Sequence, residues 1–556
     1  MATNGTLTFD YVIVGAGSAG CVLADRLSAD GRNQVCVLEY GGSDRSILIQ
    51  MPAALSMPMR SSTYNWGYHT EPEPGLGGRV LHCPRGKVIG GSSSINGLAY
   101  VRGNPRDFDR WEEEGASGWG YRHVLPYFRR AESRDDGGDA YRGADGPLAT
   151  RRGTLSNPLY RAFIEAGRQA GYPVTEDMNG PAQEGFGLMD MTVKDGRRWS
   201  TANAYLKPAM KRPNLTVVTG ALATRILFEG KRAVGIAYQK GCRSHEVRAR
   251  REVILSGGPI NNPQLLKLSG VGPAAELRQH GIEVRHDLPG VGENLQDHLE
   301  FYFQVACLQP ITLYSWQGLV GRAIVGAKWL ALGNGLGATN HFESGGFIRS
   351  RPGVEYPDIQ YHFLPLAVSY DGVNLATEHG FQAHVGPMRS KSRGWVRLKS
   401  TDPREHPAIL FNYMCHPDDW EEMRACVRLT REIFAQAAFD PYRGREIQPG
   451  ADVTSDEDID AFIREKVESA YHPSCTCRIG VPGDPMAVVD PETRVIGLGA
   501  LRIADSSIMP SITTGNLNAP TIMIGEKAAD HILGKGMLAA SNAEYHTAPN
   551  WRTAQR

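Results

Sequence analysis

The chain has 556 residues, enough for roughly three to four domains of ~150 residues, or for two larger ones with interleaved segments. Its 60 Lys and Arg cancel its 60 Asp and Glu, so beyond a local patch no excess charge draws it to nucleic-acid phosphates or anionic lipid, which argues against a dedicated nucleic-acid binder. With 41% hydrophobic and 22% charged residues it can bury a large core, and its 64 glycines, well above the ~7% of average proteins, point to tight turns and backbone laid close to a ligand.

In chain order, Phe9 to Val14 (FDYVIV) reads as a strand buried on both faces, and Gly15-Ala16-Gly17-Ser18-Ala19-Gly20 follows it directly. Cys21 to Ser28 has the helical spacing of Val22, Leu23 and Leu27, and Gln34 to Leu38 is a second strand ending in Glu39, 19 residues past Gly20. Strand, glycine turn, helix, strand and acid form one βαβ unit with a dinucleotide fingerprint. Gly15 permits the turn, Gly17 admits a pyrophosphate, Gly20 lets helix and strand approach, and the phosphates sit at the positive helix end. These residues alone do not separate NAD from FAD.

Pro84 to Asn96 (PRGKVIGGSSSIN) is dense in small residues and suits backbone laid against a ligand. Asp135 to Gly146 reads as a surface loop, and Leu215 to Val218 and Ala223 to Phe228 as strands. Glu252 to Leu255 runs into Ser256-Gly257-Gly258-Pro259. From about Tyr302 to Asp458 aromatic-rich segments replace glycine fingerprints, and a second domain that shapes the substrate side is placed there. Leu501 to Ala504 reads as a strand, Thr521 to Ile532 as a helix, and Met537 to Arg556 as a loose polar tail. The nine scattered cysteines do not form a disulfide framework and suit a reducing compartment; Cys475 and Cys477 lack the spacing of a zinc site, so no metal is expected. The N-terminus has no signal-peptide pattern and no apolar run nears ~18 residues, so a cytoplasmic location is expected, with any membrane contact peripheral, at the inner face of the cell membrane.

The stretch GKVIGGSSSIN (Gly86 to Asn96), with Tyr100 and Gly103, resembles the first signature of the glucose-methanol-choline (GMC) family of FAD-dependent oxidoreductases, and GGPINNPQLLKLSGVG (Gly257 to Gly272) resembles the second. LPGVGENLQDH, YHPSCTCRIG and LRIADSSIMPSITTGNLNAPTIMIGEKAAD complete the set in the family's order, from about Phe9 to Ile532. Segments such as YNWGYHTEPEP, NHFESGGFIRSR and IQYHFLP are similar to the choline-oxidising dehydrogenases of that family.

The resemblance implies an α/β fold: a discontinuous Rossmann-type FAD-binding domain (1–155, 215–300 and 460–536), an α+β substrate-binding domain with an antiparallel sheet (156–214 and 301–459), and a C-terminal tail (537–556). It implies a cofactor shell of Gly15, Gly17, Ser18, Ala19, Gly20, Glu39, Trp66, Gly86, Val88, Gly91, Ser92, Asn96, Gly97, Leu98, Ala223, Gly257, Asp505 and Asn516. Ile95 stands where some members attach FAD through a histidine, so non-covalent FAD is expected. Tyr40 after the ribose acid, Asn262 in the second signature, and Ser474 and Cys475 after the histidine depart from the family's usual residues.

Oxidising an alcohol requires loss of the hydroxyl proton and of a hydride from the same carbon. By resemblance His472 is the base, and its partner falls 44 residues on at Asn516, with Asn518 the competitor; both His472 and Asn516 are also expected to touch substrate. A trimethylammonium substrate needs aromatic faces and a carboxylate. Glu343 is similar in position to a ligand-binding glutamate of choline-oxidising relatives, against the plainer reading of a pair with Arg349. Trp66, Tyr361, Phe342 and Phe363 are candidate walls or core. The implied activity is oxidation of choline to betaine aldehyde, and on to glycine betaine through the hydrate, with oxygen or a respiratory-chain carrier as electron acceptor. The alternatives are a GMC enzyme for another primary alcohol and a FAD-bound lyase or non-redox binder.

Overall fold

The computed structural model describes residues 7–368 and 377–556. Among the described residues two seven-stranded sheets carry the architecture. In the first, Leu215–Thr219, Val35–Glu39, Leu7–Val14 and Arg243–Leu255 run parallel, and Leu501–Ile503 adds to the last of these. Arg232–Lys240 and Ala221–Glu229 extend it as an antiparallel meander. The register aligns Val14 with Leu38 and Leu255, and Leu255 with Ile503. Strands far apart in sequence therefore end at one level, where the loops that follow them converge.

The apolar, β-branched runs YVIV and VCVL are buried along their whole length because helices cover the sheet. Ser18–Ser28 and Asn518–Ile532 pack on each other; all but Asn518 and His531 of the second are buried. The fingerprint folds as the sequence indicates, with Gly15 at φ +97° turning from strand to helix. A Cβ at Gly20 would stand 2.0 Å from the Gly15 carbonyl oxygen, so only glycine lets the helix come this near its own strand.

The second sheet is antiparallel, in the order Arg443–Gln448, Leu299–Cys307, Gly380–Pro387, Ile359–Leu364, Ser344–Ile348 and Gly185–Leu188, with Glu468–Ser469 beside Leu299 and Glu300. Strand alternation divides its residues between two faces. Ile359, Tyr361 and Phe363 join Phe301, Phe303, Phe381 and Val385 in a core closed by the helices Pro158–Gln169 and Pro417–Phe434. There Phe363 stacks on Phe163 at 4.7 Å, which makes Tyr361 and Phe363 core rather than pocket wall. The other face carries Glu300, Tyr302, Gln360, His362, Gln382 and His384, with Tyr302 and His362 each opposite His384. That polar face turns toward the carboxyl ends of the parallel strands.

The tail differs from the sequence expectation. Residues 537–556 run from the end of the Asn518–Ile532 helix to the antiparallel sheet and are held at both ends: Ser541 N–H donates to the Arg122 carbonyl at 2.8 Å, and Arg556 pairs with Glu432 at 2.6 Å. Polarity marked it as loose, but its partners are backbone groups and charges from remote segments.

Candidate active site

One cavity runs from the glycine turn of the parallel sheet to the polar face of the antiparallel one. At the first end Gly15, Gly17, Ser18 and Ala19 line it, with Glu39 at the tip of its strand. The Glu39 carboxylate accepts from Ala16 N–H at 2.9 Å and Gly41 N–H at 2.7 Å, while burial pushes its carboxyl up to about 7. Gly91, at φ +53°, lies so close that a Cβ there would be 2.7 Å from Gly17 Cα. Two loops 74 residues apart thus form a narrow cradle of bare backbone at a helix N-terminus, which fits a dinucleotide pyrophosphate.

Gly86, Ser92, Asn96, Gly97, Leu98, Ala223, Gly257 and Trp66 line the same cavity. Tyr40 packs on Trp66 at 5.1 Å, a residue type the family reading did not anticipate there. Asp505 also reaches the cavity and ties the loops beneath it, accepting from Gly258 N–H at 2.7 Å, Asn262 Nδ2 at 2.8 Å and Ser507 N–H at 2.8 Å. Asn262 therefore does more than replace a hydroxyl, since its Oδ1 accepts from Gly257 N–H while its amide holds the aspartate. Val88 is a correction: it is buried in a cluster with Ile49, Met59 and Ile95 behind the loop, and its side chain supports the loop without lining the cavity.

At the other end His472 follows Tyr471, which is held at φ +64°. The Asp297 carboxylate accepts from His472 N–H at 2.6 Å and from the Tyr413 hydroxyl at 2.6 Å, fixing the loop from below. His472 Nδ1 lies 3.1 Å from His298 Nδ1, and His298 Nε2 lies 3.0 Å from the Met388 carbonyl oxygen. Burial pushes His298 down to about 3, so it is neutral at physiological pH. A carbonyl only accepts, so the one proton of neutral His298 sits on Nε2 and its Nδ1 is a lone pair. His472 must then donate from Nδ1, which leaves the lone pair on its own Nε2.

Burial, with the nearby His298, Arg85 and His362, drives His472 well below the ordinary histidine range, so it too is neutral. Part of its ring is accessible, but that surface opens onto the cavity. Asn516 Nδ2 lies 3.2 Å from His472 Nε2 and donates to it, while Asn516 Oδ1 accepts from Gln360 Nε2 at 3.2 Å and lies 3.1 Å from His362 Nε2. The Gln360 amide donor fixes which way the Asn516 amide faces. Asn518 is placed elsewhere: its Oδ1 accepts from the Ser18 hydroxyl at 2.7 Å, at the cofactor end.

Glu343 is a second correction. It is buried away from the cavity, and its carboxylate accepts from Leu155 N–H at 2.7 Å and the hydroxyls of Thr339 at 2.8 Å and Thr154 at 3.2 Å. Nor does it pair with Arg349, whose partner is Glu184 at 2.8 Å. The carboxylate that lines the cavity beside the histidines is Glu300, 3.1 Å from His384 Nδ1, with Phe342 packed on His362 and His384 at 5.8 and 5.3 Å. His298, Glu300, His362 and His384 were not singled out from the sequence. Two of them stand in LQDHLE, whose LQDH ends a stretch that resembles the family, and the alternation of IQYHFL carries the signal for His362.

The arrangement offers a neutral imidazole whose Nε2 lone pair meets the Asn516 amide, with a carboxylate side chain and an aromatic ring in the same cavity. That is a site for taking a proton from a small polar molecule that carries a cation.

The family model described as GMC oxidoreductase matches residues 9–300 with its N-terminal part and 390–525 with its C-terminal part. An oxygen-dependent choline dehydrogenase of Brucella anthropi is 62% identical over 547 residues, 98% of this chain and 100% of its own, and that of Rhizobium meliloti is 60% identical over the same span. Among solved structures, pyridoxine 4-oxidase from Mesorbium loti aligns with TM-score 0.85 and 32% identity over 95% of this chain and 99% of its own. A formate oxidase aligns with TM-score 0.89 and 26% identity over 95% and 98%. The chain belongs to the GMC oxidoreductase family.

Proposed function

We propose that this chain is a FAD-dependent dehydrogenase of choline, forming betaine aldehyde. The observation that carries the reading is the neutral His472, its Nε2 lone pair set by His298 and met by Asn516, in one cavity with Glu300 and Phe342. FAD, when bound, supplies the hydride acceptor. The glycine cradle, Glu39 and Asp505 would hold it at the dinucleotide end, and the buried isoleucine at Ile95 offers no atom for a covalent link.

His472 Nε2 takes the hydroxyl proton, and the Asn516 amide then donates to the oxygen as it gains charge. The Nδ1–H bond to His298 holds the imidazole edge-on through the transfer. Glu300 and Phe342 receive the trimethylammonium group, whose charge no proton loss can remove. Choline oxidation is also the activity for which the relatives that share 60–62% of their residues with this chain are named. The reduced enzyme needs an acceptor, oxygen or a respiratory-chain carrier, and offering each after anaerobic reduction by choline identifies it.

The test compares choline with its uncharged isostere, 3,3-dimethylbutanol, in wild type and Glu300→Gln. Loss of the carboxylate should raise KM for choline by about tenfold, ~1.4 kcal/mol, and leave KM for the isostere unchanged. Equal effects on both alcohols would refute the cation reading and leave a GMC enzyme for neutral primary alcohols.

A further inference from the structure

The helix Leu319–Leu332 (LVGRAIVGAKWLAL) faces the wrong way for a soluble protein. Of its fourteen residues one is buried: Trp329, 4% exposed, whose indole N–H donates to the Gly196 carbonyl at 2.7 Å and anchors the helix. Leu319 is 88% exposed, Val320 74%, and Ile324 and Leu330 are also open. At about 100° per residue, Leu319, Leu330, Ala323, Ala327, Val320, Ala331 and Ile324 fill a continuous arc of about 140° turned from the protein. Lys328 borders that arc on one side and Arg322 lies beyond its other edge.

Charge identifies what covers this face. From Leu308 to Phe342 the chain carries two basic residues and no acidic one, and neither Arg322 nor Lys328 forms an ion pair with a described residue. A second copy docked face to face through this helix would bring four cations together with no anion from the segment to pair them. An anionic lipid surface answers both features: acyl chains take the apolar arc, and the two long basic side chains reach up to the headgroups. The half-exposed Trp316, on the turn leading into the helix, is the residue type that settles at that depth. At fourteen residues, about 21 Å, the helix is too short to cross a bilayer core of about 30 Å, so it lies in the plane of the surface.

We propose that Leu319–Leu332 is a membrane-docking helix that seats the enzyme on an anionic lipid surface. This goes beyond the reading of the active site and does not depend on which alcohol is oxidised there.

The test is flotation of the purified holoenzyme with vesicles of equal parts phosphatidylcholine and phosphatidylglycerol, against vesicles of phosphatidylcholine alone. Wild type should float with the anionic vesicles, lose binding as salt rises, and bind the neutral ones far less. Arg322→Glu/Lys328→Glu and Leu319→Ser/Ile324→Ser/Leu330→Ser should each lower binding by about tenfold, with alcohol-driven flavin reduction in solution unchanged as the control for folding. The proposal falls if wild type does not float, if both variants float as well as wild type, or if light scattering shows a dimer that the serine variant dissociates. Should the serine variant fail to fold, the charge reversal and the salt titration decide.

Discussion

In the proposed mechanism a buried, neutral imidazole serves as a base only if its lone pair points at the substrate, and a carbonyl two hydrogen bonds removed would set that direction. Met388 fixes His298, His298 fixes His472, and Asn516 meets the result. His472→Ala should slow choline-driven flavin reduction by about 10²–10⁴-fold, the usual worth of a general base, with FAD content unchanged in anaerobic stopped-flow traces. His298→Leu removes the acceptor for the Nδ1 proton and lets the wrong tautomer compete, so the same rate should fall by about tenfold or more, ~1.4 kcal/mol. His298→Gln, which keeps an accepting oxygen near the same place, should recover much of it; equal rates for Leu and Gln would mean that His298 only fills space. The sequence singles out His472 and Asn516, whose side chains meet at 3.2 Å, because each stands inside a run of residues whose order resembles the family's. His298 was not, because it stands 174 residues from His472 and its role exists only once the loop on Asp297 folds back. Glu343 misled because a carboxylate beside aromatic residues in sequence says nothing of which backbone donors will surround it.

Elements whose chemistry is local were readable: the FDYVIV strand, the glycine turn and the helix after it need only neighbours to form. The antiparallel sheet was readable as a domain but not by face. In IQYHFL the apolar and polar residues alternate, so Tyr361 and His362 cannot both reach the site, and the aromatic core takes the tyrosine. The helix Pro417–Phe434, which closes that core, bears a buried acid, Glu422, with consequences for pH. Glu422 has one carboxylate oxygen without a partner among the described residues, and burial, with the charge of Asp358 added, pushes its carboxyl up to about 8. The unfolded chain ionises this group near ~4.3 while the folded chain keeps it protonated until about 8, so folding takes up a proton between those values. Stability from this group is therefore present at low pH and declines as pH rises toward 8. Glu422→Gln, neutral throughout, should match wild type in urea unfolding at pH 5 and exceed it by about 2–4 kcal/mol near pH 8.5. A difference that is flat with pH would show that Glu422 is already ionised in the native protein.

At the scale of the whole molecule, the site lies between two sheets with separate cores, and the tail spans both. On the side of the parallel sheet, the Tyr141 hydroxyl donates to the Glu544 carbonyl at 2.5 Å and the Tyr545 hydroxyl to Asp109 at 2.7 Å. On the other side Gly353 N–H donates to the Trp551 carbonyl at 2.7 Å, Arg349 to the Ala554 carbonyl at 2.9 Å, and Arg556 to Tyr172 at 2.9 Å. Each such bond is worth about 1 kcal/mol net, whereas ordering each backbone residue costs about 1–2 kcal/mol. Twenty ordered residues with this many bonds and little apolar burial therefore stabilise the fold only slightly. What the tail can do is add to the coupling of two bodies that also meet directly, as where Lys267 Nζ donates to the Val396 carbonyl at 2.7 Å and Arg110 to the Tyr356 hydroxyl at 3.1 Å. Deleting 537–556 should shift Tm by no more than about 4 °C, while raising KM for choline several-fold and speeding amide exchange around Arg349 and Gly353 relative to the central strand Leu299–Cys307. A collapse of Tm with uniform exchange would mean that the tail is part of one cooperative core; unchanged KM and exchange would mean that the two bodies hold together without it.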